Sequence, residues 1–248
     1  MPSARSPSDH WTLAAPSFVW PTGVAENCRR LQNMVDEVAL LFLESQACLD
    51  YSTEDLPPWL ASLGLRFHVH LPVDLPWASG PQAALKTVTA LARKAAFLSP
   101  SGYVLHPPDD PSLFTDFYRG WVEAGFLGSE LLIENIEGND LSRLWPEIVT
   151  SQCSICLDVG HLLLFDQHWL LRQEELWSRL AMLHLYGIDS GHTHSSLSEL
   201  PPDGQKILRG ILSEMSPETV VVLETFSPWE LQESLDIFST WVRNWGLQ

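Results

Sequence analysis

Short apolar runs recur along the chain at 18–20, 38–43, 67–71, 103–105, 131–133, 155–157, 183–186 and 220–223. Most are too brief and too continuous for amphipathic helices, and they read as strands buried on both faces, the habit of a parallel sheet. Helical spacing fills the gaps. Val24, Leu31, Met34 and Val35 fit one helix, and Ala84, Leu85, Val88, Leu91 and Ala95 another. Further helical segments are expected over 113–126, 141–149, 170–180, 207–215 and 231–241, with a shorter one after Thr53. Strand alternating with helix is the signature of an α/β fold of parallel strands. Eight such units predict a single (β/α)8 TIM barrel, with a doubly wound sheet as the alternative. Residues 1–15, rich in Ser and Pro and without periodicity, are expected to be a flexible tail, and 16–248 the catalytic barrel.

Composition narrows the partners. The 248 residues carry 14 Lys+Arg against 31 Asp+Glu, a formal net charge of −17. That field argues against nucleic acid or an anionic membrane surface, both of which need a basic footprint. No apolar run has the length of a membrane span, and MPSARSPSDH lacks the apolar core of a signal peptide. The four cysteines (Cys28, Cys48, Cys153, Cys156) are too few for a disulfide scaffold and read as reduced, buried thiols. A cytoplasmic protein is the expectation, its oligomeric state left open.

The chemistry sits at the strand ends. Phe67-His68-Val69-His70, Leu105-His106, Leu132-Ile133-Glu134-Asn135, Leu157-Asp158-Val159-Gly160-His161, Leu183-His184 and Leu223-Glu224 place a His, Asp or Glu at six successive strands. In a barrel these ends converge on one mouth. Any one of them has an ordinary explanation as a hydrogen-bonded or solvated residue; six in succession do not. Carboxylates crowded into one mouth repel and neutralise one another unless a cation holds them. Imidazoles and carboxylates without thiolates suit Zn²⁺, Mn²⁺ or Fe²⁺. Asp158 and His161, three apart, can aim into one cavity, and His68 and His70 share strand parity. His192 and His194 lie in a Gly/Ser/Thr-rich loop that could fold over the mouth as a lid. Cys153-x-x-Cys156 has no second such pair and is assigned to packing. No GxGxxG, P-loop or GxSxG pattern occurs. Among eleven tryptophans, Trp20, Trp77 and Trp145 fall near loops or strand ends, where some could wall a large planar ligand.

In order, the series His-x-Pro, His-Pro, Glu-Asn, Leu-Asp-x-x-His, His-Leu and Leu-Glu-Thr resembles the xylose-isomerase-like barrels. Within them it is most similar to the branch of the endonuclease IV type of apurinic-site DNA-repair enzyme, over roughly 67–226. The resemblance implies that His70, His106, Glu134, Asp158, His161, His184 and Glu224 hold a cluster of two or three divalent ions, Zn²⁺ or Mn²⁺, that cleaves a phosphodiester. The branch's Asp-x-His on the seventh loop is met here by His192-x-His194, which makes His194 the further ligand and replaces an Asp by His. Pro16-Ser17-Phe18-Val19-Trp20-Pro21, Val69-His70-Leu71-Pro72, Leu105-His106-Pro107-Pro108 and Leu157-Asp158-Val159-Gly160-His161 resemble a narrower group, the cobamide-remodelling phosphodiesterases of the CbiR type. That group cuts the nucleotide loop of vitamin B12-type corrinoids between phosphate and ribose, leaving cobinamide phosphate. The resemblance implies a small corrinoid substrate and catalytic roles for Glu134, Asp158 and Glu224, with His68, His192 and Trp77 contacting substrate. Bridging by Glu134 and Glu224 would keep the ions ~3.5–4 Å apart and needs no side-chain nucleophile.

Two other functions share these residues. A sugar isomerase or epimerase would keep one ion and use paired glutamates, with fewer histidines and usually a lysine. The lysines here, Lys86, Lys94 and Lys206, avoid the strand ends. A corrinoid or metal carrier would bind without turnover.

Overall fold

The computed structural model describes residues 11–189 and 192–247. Eight parallel strands close into a barrel: β1 (Leu13–Pro16), β2 (Glu37–Leu41), β3 (Arg66–His70), β4 (Tyr103–Leu105), β5 (Leu131–Glu134), β6 (Ser154–Asp158), β7 (Leu180–Leu185) and β10 (Val220–Leu223). An antiparallel hairpin, β8 (Gly187–Asp189) with β9 (His192–Ser195), intervenes between β7 and β10. Nine α-helices among the described residues link the strands. They are α1 (Val24–Leu31), α2 (Ser45–Leu49), α3 (Pro81–Ala95), α4 (Pro111–Glu123), α5 (Trp145–Thr150), α6 (Val159–Leu164), α7 (Glu174–Arg179), α8 (Pro202–Glu214) and α9 (Pro228–Trp245). The single barrel is as expected, and the doubly wound alternative falls with the closure of β1 on β10.

Burial on both faces explains the continuous apolar runs. Inward side chains Ala14, Ala39, Val104, Leu132, Cys156, Met182, Val220 and Val222 pack as a core inside the barrel. The outward set, including Leu40, Val69, Ile133, Leu157, Leu183 and Leu223, packs against the helices. Helix α3 shows how: Ala84, Val88, Leu91, Ala92 and Ala95 recur at helical spacing and are all buried. Prolines at the first turn of α3, α4, α5, α8 and α9 occupy a position whose N–H has no intrahelical partner.

The first strand lies earlier than its apolar run predicts. Ala14 pairs with Glu37 on one side and Val222 on the other, whereas Phe18 is in the following loop and 47% exposed. Residues 11–15 are therefore not tail: Trp11 is buried and its indole N–H donates to the Ser216 carbonyl at 3.1 Å. The rest of the expected tail, residues 1–10, lies outside the described residues. The segment carrying His192 and His194, expected as an open loop, forms the β8–β9 hairpin. Gly187 permits it, since a Cβ there would sit 1.7 Å from the Ser196 carbonyl oxygen. All four cysteines are free and buried. No helix among the described residues is long and apolar enough to cross a membrane.

Candidate metal centre

Parallel register levels the strand ends. Asp158 stands opposite His184, His184 opposite Val222, and Glu134 opposite Cys156. The inward parity of each strand then carries its polar end residue into the mouth. Glu134 is the hub. Its Oε2 lies 3.0 Å from His106 Nε2 and 3.2 Å from His70 Nε2, and its Oε1 lies 2.8 Å from His184 Nδ1. The same His184 nitrogen is 3.4 Å from Glu224 Oε2. Glu224 in turn accepts at its backbone carbonyl from His194 Nδ1, 3.2 Å away.

Asp158 divides its oxygens. Oδ1 caps α6 by accepting from the His161 backbone N–H at 2.7 Å, while Oδ2 is buried without a hydrogen-bond partner. His161 Nδ1 lies 3.0 Å from the Asn135 carbonyl, and His70 Nδ1 3.1 Å from the Leu71 carbonyl. With a proton on each Nδ1 these rings donate to the backbone and keep Nε2 as a lone-pair donor, the arrangement seen around ligand histidines. Asn135 braces the same corner: its amide accepts from the Asp158 N–H at 2.8 Å and donates to the Asp158 carbonyl at 2.9 Å and to Gln167 Oε1 at 2.8 Å.

Donor atoms of three overlapping groups, His70/Glu134/His184, Glu134/Asp158/His161 and Asp158/His184/Glu224, lie within 4.8 Å of one another. Glu134, Asp158 and His184 each belong to two of them. Asp158 Oδ2, Glu134 Oε2 and His184 Nε2 are buried and lack well-formed hydrogen bonds, although His70 and His106 stand close to Glu134 Oε2. Buried orphan donors of hard and borderline type fit divalent cations.

The electrostatics fit a centre built for positive charge. Burial pushes Asp158 up, and with Glu134 and Glu224 nearby its carboxyl rises to about 7 despite His161. Burial likewise raises Glu134, but His184 and His106 outweigh it and hold the group well below the usual carboxylate range. Burial opposes protonation of His184, yet Cys156, Glu134 and Glu224 raise it well above the ordinary imidazole value. In His194 burial wins and lowers the pKa.

Of the predicted residues, the fold brings together His70, His106, Glu134, Asp158, His161, His184, His194 and Glu224. His68 is not at the mouth. It is fully buried one level deeper, its Nδ1 2.8 Å from Glu37 Oε1, which also accepts from Ser101 Oγ at 2.8 Å. Its parity was read correctly, but a residue two positions earlier on a strand sits lower in the barrel. The His192 side chain lies outside the described residues. The Trp77 ring is edge-on to Phe117 and lines a cavity of about 460 Å³ with Pro107, Asp109, Ile136 and Glu137, none of them a member of the centre. Sequence reasoning missed Asn135, Gln167 and Tyr186. Tyr186 shares the parity of Met182 and His184, which is the signal that could have found it.

No family model matches the chain, and no curated protein matches it in sequence. Solved structures match its fold over nearly the whole length. A D-tagatose 3-epimerase-like protein is 14% identical with TM-score 0.68, covering 95% of this chain and 98% of its own. An L-ribulose 3-epimerase is 13% identical with TM-score 0.69, covering 95% of each chain. The protein TTHB071 from Thermus thermophilus, solved after soaking with ZnCl2, is 21% identical with TM-score 0.63, covering 95% of this chain and 99% of its own. At these identities the likeness establishes the fold alone, a TIM barrel.

Proposed function

We propose that the chain is a metal-dependent phosphodiester hydrolase whose centre holds two or three divalent ions. One observation carries this reading: Glu134 is met by three imidazoles, and the three donor groups of the mouth overlap through Glu134, Asp158 and His184. A single ion needs only four donors, and the residues at hand number eight. Ions bound there supply Lewis acidity and neutralise charge on a phosphoryl group. The chain's own part is to fix the donors. Asn135 locks the end of β6, the backbone carbonyls of Leu71 and Asn135 set the His70 and His161 rings, and Glu134 and Glu224 face His184 from two strands.

The narrower substrate is a cobamide, on the sequence resemblance and on the shape of the mouth. Phe18, Leu43, Val73 and Phe226 are exposed on the loops after β1, β2, β3 and β10, four strands adjacent in the barrel. Loops 17–23, 42–44, 71–80 and 224–229 contain no Lys or Arg. An apolar arc without cations suits a wide neutral body and not a phosphate backbone.

A second reading is a sugar epimerase using one ion held by Glu134, Asp158, His184 and Glu224. The two epimerase neighbours favour it over the hydrolase, and none of the neighbours described above is named as a phosphodiesterase. The extra histidines His70, His106, His161 and His194 weigh the other way. Incubation of Zn²⁺- or Mn²⁺-loaded protein with bis-p-nitrophenyl phosphate, adenosylcobalamin and D-tagatose separates the two. Release of p-nitrophenol and a product with the mass of a cobinamide phosphate are expected. Ketose epimerisation with both diesters intact would overturn the hydrolase in favour of the epimerase.

A further inference from the structure

The structure assigns Tyr186 a role as a hydrogen-bond donor to the substrate's oxyanion at this centre. The inference rests on the reading of the mouth as a catalytic metal site. Tyr186 follows β7 with the inward parity of His184 and is fully buried; its hydroxyl faces the Asp158 carboxyl, which interacts with it, but makes no well-formed hydrogen bond among the described residues. A buried phenol without a well-formed hydrogen bond costs free energy in the free protein, and a functional contact is one explanation for keeping it.

Its surroundings are built to hold it there. The ring lies directly over Gly160, in the Asp158-x-x-His161 turn. A Cβ at Gly160 would come within 2.1 Å of the ring and 2.4 Å of the hydroxyl. On the other side stands the His194 imidazole, with ring centroids 4.2 Å apart, carried by a backbone at φ +64°. The His161 ring meets it edge-on at 6.5 Å. The phenol therefore stands among Asp158, His161 and His194, three of the expected ligands, without a well-formed hydrogen bond to any of them. Asp158 Oδ2 also lacks a well-formed hydrogen bond, with His161 Nδ1 3.5 Å away. A neutral O–H beside the expected ligands, not locked to Asp158 by a well-formed bond, is free to turn and donate to the negative charge that develops on a phosphoryl or enolate oxygen. A glycine at 160 is needed because only a missing side chain lets the ring approach this closely.

The test is Tyr186→Phe in the metal-loaded protein, which keeps the ring on Gly160 and removes the donor. With bis-p-nitrophenyl phosphate, kcat should fall by ~10²–10³, the usual effect of deleting one oxyanion donor, with KM changed by less than about threefold. Metal content and thermal midpoint should match wild type. Isothermal titration with inorganic phosphate, a probe independent of diester turnover, should show affinity reduced by about tenfold or more. Wild-type kcat and phosphate affinity in the variant would overturn the assignment. Loss of bound metal in step with activity would overturn it too, by making Tyr186 a support for the ligands. If wild type binds phosphate but cleaves no diester, the hydrolase fails while the phosphate affinities still judge Tyr186. If wild type binds no phosphate, both fail.

Discussion

Glu134 and Asp158 have opposite electrostatic fates within one mouth, and two predictions follow from them. Glu134 is stabilised as a carboxylate by His184 and His106 against the cost of burial. Glu134→Gln should leave these imidazoles facing an amide and remove a shared donor, lowering turnover by ~10³ or more, as for loss of a key electrostatic group. Glu224→Gln should do the same. Steady-state kinetics on fully loaded protein checks both, and retention of most activity in either variant would make that residue structural. Asp158 is raised in the fold to about 7, chiefly by burial. Between the ordinary carboxylate value and that value the folded chain holds a proton that the unfolded chain has lost, so Asp158's contribution to stability falls as pH rises. His70 and His184, raised in the fold, act in the same direction at higher pH, whereas the lowered His68 and His194 act against it. Comparison with Asp158→Asn isolates the single group. In metal-free protein, wild-type stability relative to the variant should decline from about pH 4 to pH 7 in denaturant titrations. Added Zn²⁺ should reverse that trend, because ligation needs the deprotonated form. A flat difference would place Asp158 outside the buried cluster.

At the scale of elements, seven of the eight barrel strands were legible because burial on both faces leaves an unbroken apolar run, and most helices from their helical spacing. His70, His106, Glu134, Asp158, His184 and Glu224 were legible because each closes such a run, whereas His161 was read from its spacing to Asp158 and His194 from the resemblance. What was not legible depends on distant pairing. The Leu13–Pro16 strand is a small-residue stretch inside a Ser/Pro-rich segment, and only its two neighbours, β2 and β10, make it a strand. The more apolar 18–20 run lost that place and supplies part of the rim instead. The β8–β9 hairpin carries no apolar alternation, so its pairing has no local signal, and Gly187 is read as essential only once Ser196 is seen against it. The depth of His68 was invisible for a similar reason: parity gives the face of a strand and not the level along the barrel. Asn135 is an element-level clasp, joining the ends of β5 and β6 and the turn at Gln167. Asn135→Ala should leave buried Asp158 backbone groups unpaired and cost about 1–3 kcal/mol each. Chemical denaturation measures the loss, and an unchanged midpoint would mean the clasp is redundant.

For the whole molecule, charge and surface point to one kind of substrate. A net charge of −17 repels polyanions, and the loops after β10, β1, β2 and β3 carry the exposed apolar side chains Phe226, Phe18, Leu43 and Val73. An abasic DNA duplex should therefore remain intact at low salt, where any hidden basic patch would act most strongly. Nicked duplex on a denaturing gel would contradict this. Phe18→Ala, at a residue 47% exposed on the loop after β1, should weaken KM for adenosylcobalamin severalfold and leave bis-p-nitrophenyl phosphate turnover unchanged; equal effects on both substrates would remove these loops from recognition. The central claim, a centre of several ions, is tested most directly by elemental analysis of protein purified without chelator and then saturated with Zn²⁺ or Mn²⁺. Two or three divalent ions per chain is the predicted result. One ion per chain would leave His70, His106, His161 and His194 without their assigned role and favour the epimerase, and none at all would contradict the metal centre itself.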